Sequence, residues 1–249
     1  CLAGGVAYNS VANGRILRET PFEEIYIQPA AGDSGGALGA ALYAYHVTLQ
    51  QPRRFVMDHA YWGKAYDEAE IVEAIRRAGL RSVRMSSEDE LVGETARRLV
   101  RGQVIGWYQG RSEWGPRALG NRSILADPRR ADMKGIVNRK IKFREPFRPF
   151  APSILDRSVH QFVDYPAGKS LSPATFMLAV SPIKPERRGQ IPAVTHVDGT
   201  GRLQAVQQQT NPRYYKLIEA FESETGVPVV LKELALDKAA KKAGVGIVP

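Results

Sequence analysis

The sequence predicts an α/β protein. Three observations carry that expectation. The first fifty residues read as strand, turn, helix, strand, glycine loop and helix. Asp67 with Glu70, and Ser87 with Glu90, have the spacing of capping boxes that open amphipathic helices, and each helix leads into a strand-like run. Near the end, Asn211-Pro212 starts a helix that stops at Gly226 and delivers the apolar run VPVVL (227–231), a strand.

Taken in order, residues 2–8 predict a buried strand ending at Asn9, residues 10–18 a short helix, and FEEIYIQ (22–28) a second strand. Pro29 and the loop AAGDSGG lead to a helix over 37–50, whose Ala-, Leu- and Gly-rich first half predicts close packing on a sheet. Residues 50–66 connect, with aromatic anchors, and mark a domain boundary. The helix opened by Asp67 places Ile71, Ala74, Ile75 and Ala78 on one face and ends at Gly79. RSVRM (81–85) predicts a short strand, the helix opened by Ser87 runs to Arg101–Gly102, and VIGWYQG (104–110) predicts another strand. Further on, strands at 150–156 and 175–183 bracket a short helix at 158–164. Residues 184–192 form a loop, and 193–207 form a hairpin turning at Asp198–Gly199 or Gly201. The Lys-rich end reads as a frayed helix.

The totals narrow the class. A chain of 249 residues has room for one large domain or two small ones, and 43% apolar with 24% charged residues is ordinary for a soluble globular protein. No apolar run approaches the roughly 20 residues needed to span a bilayer, so no membrane partner is expected. The single cysteine, Cys1, excludes an internal disulfide framework and a cysteine-based zinc cluster. With no signal-peptide pattern, this suits a cytoplasmic location. The net charge of +9 points to anionic partners.

That charge is concentrated. Residues 111–148 carry eleven Lys/Arg against four Asp/Glu, an excess of seven. Trp114, Leu119, Ile124, Leu125, Met133, Ile136, Val137, Ile141, Phe143 and Phe147 run through the same stretch, so part of it must be buried. Cations held against apolar walls require anions, because an unpaired buried charge is costly. Carboxylates elsewhere in the chain, nucleic-acid phosphates or a small anionic ligand would each serve. Arg117 stands between the glycines of GPRALG, where small neighbours let a guanidinium grip an oxyanion with both arms. Arg122 follows Asn121. If 142–148 is extended, Lys142, Arg144 and Arg148 share one face and Phe143 and Phe147 the other.

Two glycine loops suggest a second anion-binding element. GDSGG (32–36) follows a strand and opens a helix, whose N-terminus offers free N–H groups to a phosphate. Asp33 there would need a metal ion between itself and a phosphate, or would simply cap the helix. GGVAYN (4–9) places two glycines in a predicted strand, a mark of close backbone approach. The four histidines show no metal-binding spacing, and neither a Walker-type loop nor a nucleophile elbow occurs.

Four stretches carry a resemblance: CLAGGVAYNSVANGRI, GDSGGALGAAL, GRSEWGPRALGNRSILADPR and NRKIKFREPFRPFAPSIL. Together they resemble the NodU-type O-carbamoyltransferases, over residues 1 to about 231. The resemblance implies two parts. Residues 1–60 would be the C-terminal fragment of an actin/Hsp70-like ATPase domain of the threonylcarbamoyl-transfer kind, residues 61–231 a YrdC-like α/β domain, and residues 232–249 a divergent tail. It implies formation of carbamoyl-adenylate from carbamoyl phosphate and ATP, then transfer of the carbamoyl group to the hydroxyl of a small molecule, with a divalent metal (iron in family members).

Residue by residue, Arg117, Lys142 and Arg148 match the family's catalytic cations on carbamoyl phosphate and the adenylate. Arg122 and Arg202 join them as substrate-binding groups. Gly4, Gly5, Asn9, Gly32, Gly35 and Gly36 match the nucleotide loops, and Asp33 matches a metal ligand. Two departures stand out: the family's N-terminal histidine pair is missing, and Lys232-Glu233-Leu234 follows Leu231 where the family has an Asn-Thr-Ser-Phe-Asn type motif. The expectation is a truncated or frame-shifted chain that does not retain the metal and is incomplete or inactive alone, with residues 1–49 docking poorly. The alternative is a YrdC-like module that binds a nucleotide or RNA without catalysis, although nucleic acid is not the expected partner.

Overall fold

A computed structural model of the chain describes residues 1–145 and 147–235. The opening residues do not form the predicted strand. Gly4, with φ at +85°, turns the backbone out of the extended region, so Leu2 makes only an isolated parallel bridge to Ile27 and Gly5–Tyr8 coils into a 3-10 turn. The second predicted strand is likewise reduced to that bridge. Helix α1 (Ser10–Glu19) begins as expected, with the Asn9 side chain accepting from the Ala12 N–H at 3.1 Å.

Of residues 1–49, for which poor docking was expected, residues 1–31 contribute to the core, whereas none of Asp33–Thr48 is buried. Asn13 donates to the carbonyls of Ala7 and Leu178, both at 2.8 Å. Gly14 lies so close that a β-carbon there would sit 2.0 Å from the Val180 carbonyl oxygen. Helix α2 (Asp33–Tyr43) starts four residues before the predicted position, because the glycines of GDSGG adopt the helical turn, and it runs on as a π-turn over Ala44–Thr48. None of its residues is buried, so the predicted packing of its small-residue half on a sheet does not occur.

Helix α3 (Glu68–Arg77) has the full Asp67–Glu70 capping box. Helix α4 (Glu88–Val100) has Ser87 as its cap, while Glu90 turns back to Ser86 instead of closing the box. Between them, 81–85 forms no strand. A strand requires a neighbour for its backbone, and this segment lies exposed, with Val83 at 82%.

Strand β1 (Ile105–Tyr108) and strand β2 (Arg122–Ala126) pair antiparallel. The basic segment then turns into helix α5 (Met133–Val137), continues as a π-turn over Asn138–Lys142 and leaves through Phe143 at φ +47°. The extended reading of 142–148 is therefore corrected, and with it the common face for its cations. Strand β3 (Ala151–Leu155) and helix α6 (Val159–Phe162) follow. The predicted strand over 175–183 is shorter. Helix α7 (Ser172–Thr175) occupies its start, Met177 at φ +57° breaks the chain, and strand β4 (Val180–Pro182) remains. The 184–192 loop contains helix α8 (Pro185–Arg188).

The turn at Asp198–Gly199 is present, but the arms of the predicted hairpin belong to different sheets. Strand β5 (Thr200–Arg202) pairs with β4, whereas strand β6 (Gln204–Val206) runs parallel to β3. Helix α9 (Pro212–Thr225) ends at Gly226 in the left-handed conformation. Strand β7 (Val229–Leu234) runs three residues past the predicted end, so the divergent tail begins as strand, and the frayed helix expected after it lies outside the described residues.

The main sheet has the order β1-β2-β7-β3-β6, antiparallel except for the β3–β6 pair. This mixed sheet, with α4 packed along α9, makes the protein α/β as predicted. β7 occupies the centre because VPVVL is apolar on both faces; Val229, Val230 and Leu231 are fully buried. No described helix is long and apolar enough to cross a membrane.

A buried amide network ties α9 to the sheet. Asn211 caps α9 through Oδ1, which also accepts from Gln109 Nε2 at 2.6 Å, while Asn211 Nδ2 donates to Tyr61 Oη at 2.8 Å and Asn121 Oδ1 at 2.9 Å. Asn211→Ala removes the cap and strands these partners. It is expected to cost about 2–4 kcal/mol, read as a lower urea midpoint at unchanged slope; an unmoved midpoint would rule the network out as a stabilising element.

Candidate functional site

The site is built on the segment between β1 and β2. Glu113 folds it: one carboxylate oxygen accepts from the N–H groups of Leu119 and Asn121 at 2.8 Å and Arg122 at 3.2 Å. The loop between is drawn tight, and Asn121 Nδ2 bonds the Arg111 carbonyl at 2.7 Å to close it. Pro116, Arg117 and Ala118 lie in the middle of this loop and line a cavity of about 90 Å³. The other walls are Ala151 at the start of β3, Met177, Arg202 at the end of β5, and Lys232, Glu233 and Leu234 at the end of β7.

Among the described residues, the two arginines at this cavity have no carboxylate within ion-pair distance. Among the described residues, Arg117 donates only a long bond of 3.4 Å to the Tyr8 carbonyl, and its buried Nε has no acceptor. Arg202 Nε is also buried without an acceptor. Neither guanidinium makes an ion pair among the described residues. Burial lowers the pKa of both, and Arg202, which also feels the charge of Arg117, is pushed down to about 10. Glu233, which lines the same cavity, partly offsets both shifts from beyond ion-pair distance; two guanidiniums with no ion pair of their own facing one space suit an anion.

The other sequence-predicted cations are placed differently. Lys142 reaches the end of β7, donating to the Leu234 carbonyl at 2.7 Å and standing 3.6 Å from Glu233, which Arg144 also pairs at 2.8 Å. Burial lowers the Lys142 pKa and Glu233 opposes that. Lys142 therefore adjoins the cavity through a residue that lines it, and it shares that residue's carboxylate with Arg144. Arg122 stacks on the Tyr108 ring at 3.6 Å and donates to the carbonyls of Gln109 and Gly110. Arg148 pairs with Glu145 at 3.0 Å in the open. Arg117 and Arg202 are thus brought together, Lys142 is set beside them, and Arg122 and Arg148 are directed to other partners.

The glycine loops meet one another: the Gly4 N–H donates to the Ala31 carbonyl at 2.8 Å and the Gly32 N–H to Tyr8 Oη at 2.9 Å. A β-carbon at Gly4, Gly5 or Gly36 would meet nothing within 4 Å, so these backbones are open to a ligand, whereas the space at Gly35 is filled by the Ala30 carbonyl. Asn9 is used as the α1 cap. Because Tyr8 also touches Arg117, the loops adjoin the cavity side of the molecule. Asp33 is exposed at the start of α2, and among the described residues no three His, Cys, Asp or Glu side chains cluster to hold a metal.

Sequence reasoning missed Glu113, Gln204, Lys232 and the pairing role of Glu233. Lys232 carried a readable signal: it shares strand parity with Val230, so a charge there falls on a buried face.

The chain matches the carbamoyltransferase C-terminus family over residues 96–233 and the carbamoyltransferase N-terminus family over residues 1–42. It belongs to the carbamoyltransferase family. Arg117, Lys142, Arg148 and Arg202 all lie within the C-terminal match, and both glycine loops within the N-terminal one. Among its relatives, nodulation protein NolNO of Sinorhizobium fredii is 45% identical over 92% of this chain and 34% of the relative. Nodulation protein NolO of Bradyrhizobium diazoefficiens is 43% identical over 93% of this chain and 42% of its own length. The 3'-hydroxymethylcephem-O-carbamoyltransferase of Amycolatopsis lactamdurans is 34% identical over 92% and 41% respectively. The chain thus spans about two fifths of the length of the curated relatives it matches.

Proposed function

We propose that the cavity between the 116–118 loop, β5 and the end of β7 holds the phosphate of carbamoyl phosphate. The whole protein would then pass the carbamoyl group, activated with ATP as carbamoyl-adenylate, to the hydroxyl of a small molecule. The observation that carries this is the pair Arg117 and Arg202, facing one cavity with their Nε groups free of acceptors. The family membership and a relative named for O-carbamoyl transfer to a hydroxymethyl group support the same chemistry.

The chain's own residues have definable tasks. Glu113 holds the loop so that the Arg117 guanidinium is oriented before the anion arrives, which reduces reorganisation during charge transfer. Arg202, at the point where the chain passes from the small sheet to the large one, grips from the opposite wall. Glu233 pairs with both Lys142 and Arg144 beside the cavity. Gly4, Gly5 and Gly36 are the backbones that would approach a nucleotide phosphate, and ATP, when bound, supplies the adenylyl group that activates the carbamoyl carbon. The same reading takes residues 1–60 as the end of an actin/Hsp70-like domain and 61–231 as a YrdC-like domain, supported by the α/β architecture, and places the protein in the cytoplasm.

Carbamoyl phosphate should raise the Tm of the chain, by about 2.7 kcal/mol of added stability at a concentration of 100 Kd. Arg117→Ala should abolish the shift. A shift that persists in the variant takes Arg117 out of the site. Binding of RNA that falls steeply with salt, in place of a carbamoyl phosphate shift, would favour a nucleic-acid module instead.

A further inference from the structure

The cavity offers a ligand two opposite kinds of group. Arg117 and Arg202 supply donors, each with a buried Nε that has no acceptor among the described residues. Lys232 lines the same space but adds no donor to it, because its Nζ is taken up by the Ala118 carbonyl, Gln204 Oε1 and the Met177 sulfur. Glu233 supplies acceptors, and its neighbours use them only in part. Oε2 accepts from Arg144 at 2.8 Å. Oε1 stands 3.6 Å from Lys142 Nζ, near enough for attraction but too long for a hydrogen bond, since Lys142 donates to the Leu234 carbonyl at 2.7 Å instead. An ionised carboxylate has about four acceptor sites, so capacity remains. The group is also held still. Its backbone is paired with Ile124 in β2, and Arg144, which grips it, is itself anchored on Asn138 Oδ1 at 2.7 Å. Its charge is felt by both cavity arginines. A bare anion is repelled by such a group, whereas a ligand with an anion at one end and N–H donors at the other satisfies the whole cavity.

Resting on the carbamoyl phosphate reading above, we propose that Glu233 is a specificity-determining residue, its Oε1 accepting from the amide N–H of a carbamoyl group whose phosphate is held by Arg117 and Arg202. Acetyl phosphate carries the same anion in nearly the same shape, but it has a methyl group where the amide nitrogen stands. It would press an apolar group against a desolvated carboxylate and leave that acceptor unpaired. The cavity thus selects among acyl phosphates by the NH2 group. The arginines alone do not make this choice, because the phosphate they hold is common to all of these ligands.

The test titrates the unaltered chain with inorganic phosphate, 2-amino-2-oxoethylphosphonate and 2-oxopropylphosphonate, reading the shift in Tm. Both phosphonates keep a phosphorus anion beside an acyl group, resist hydrolysis and differ only in NH2 against CH3. The amide is expected to bind about tenfold or more tightly than the ketone. Glu233→Gln is expected to bring that ratio to about twofold or less, because Lys142 and Arg144 compete for the single amide oxygen and turn its NH2 toward the ligand. Inorganic phosphate should bind the variant as well as before or better, since a negative charge has left the cavity. These opposite responses separate recognition from a merely structural role. Circular dichroism checks the fold of the variant; should it unfold, the ratio in the unaltered chain decides alone. Equal binding of amide and ketone by the unaltered chain, with a phosphate shift present, overturns this inference and leaves the anion site standing. No shift with any of the ligands overturns both. A folded variant that keeps the original ratio, or that loses all the ligands alike, takes Glu233 out of substrate selection and overturns the proposal.

Discussion

Gly120→Ala is expected to destabilise the chain by about 3–5 kcal/mol or to prevent folding. Two independent costs meet at this position. Its φ is +105°, a region in which a residue with a side chain is strained by about 1–3 kcal/mol. A β-carbon there would also stand 2.3 Å from Cδ1 of Tyr214 and 2.7 Å from Cε1. Tyr214 cannot give way: it is fully buried in α9 and is among the largest side chains of the core. Either the ring shifts and opens a void beneath α9, or the loop that carries Arg117 lifts. The first outcome appears as a large fall in Tm, the second as loss of anion binding as well. A variant with the wild-type urea midpoint would contradict the close packing of loop and helix.

Arg202→Met is expected to separate stability from binding. The wild-type guanidinium is desolvated without a paired carboxylate, and its Nε finds no acceptor. Methionine keeps much of the side-chain length and removes the charge. Replacing a poorly compensated buried charge by an apolar side chain is commonly neutral or stabilising by about 1–4 kcal/mol. The free variant should therefore melt at or above the wild-type temperature, while the shift produced by carbamoyl phosphate disappears. Sites that hold charge ready for a ligand are stored at the expense of the fold. A variant that melts lower and still responds to the ligand would place Arg202 among structural groups and outside the site.

Much of the secondary structure was legible because its causes are local. Asp67 and Glu70 are three residues apart and cap α3 whatever surrounds them, and Asn211, Pro212 and Gly226 bound α9 in the same way. The strands were harder to read. Residues 2–8, 81–85 and 175–183 have strand composition, yet a strand exists only where another backbone lies alongside. Gly4 and Met177 at positive φ, and the lack of a paired backbone for 81–85 among the described residues, decided against the full lengths. In the site, the spacing of Lys142, Arg144 and Arg148 suggested a shared face, but the π-turn and the left-handed Phe143 scatter it: Lys142 turns to β7 and Arg148 to Glu145.

By itself the sequence determined the α/β class, the family, the capped helices and the need of a basic, partly apolar segment for anions. Those are properties of composition, of motif and of residues a few positions apart. Only the tertiary structure decided which cations remain without a carboxylate. Glu233 lies ninety-one positions from Lys142 and pairs with it and with Arg144, whereas Arg117 and Arg202 are brought together from two distant segments and left facing a cavity. Charge in a folded chain is balanced through space, and the distances that set the balance arise only when β7 takes its place between β2 and β3.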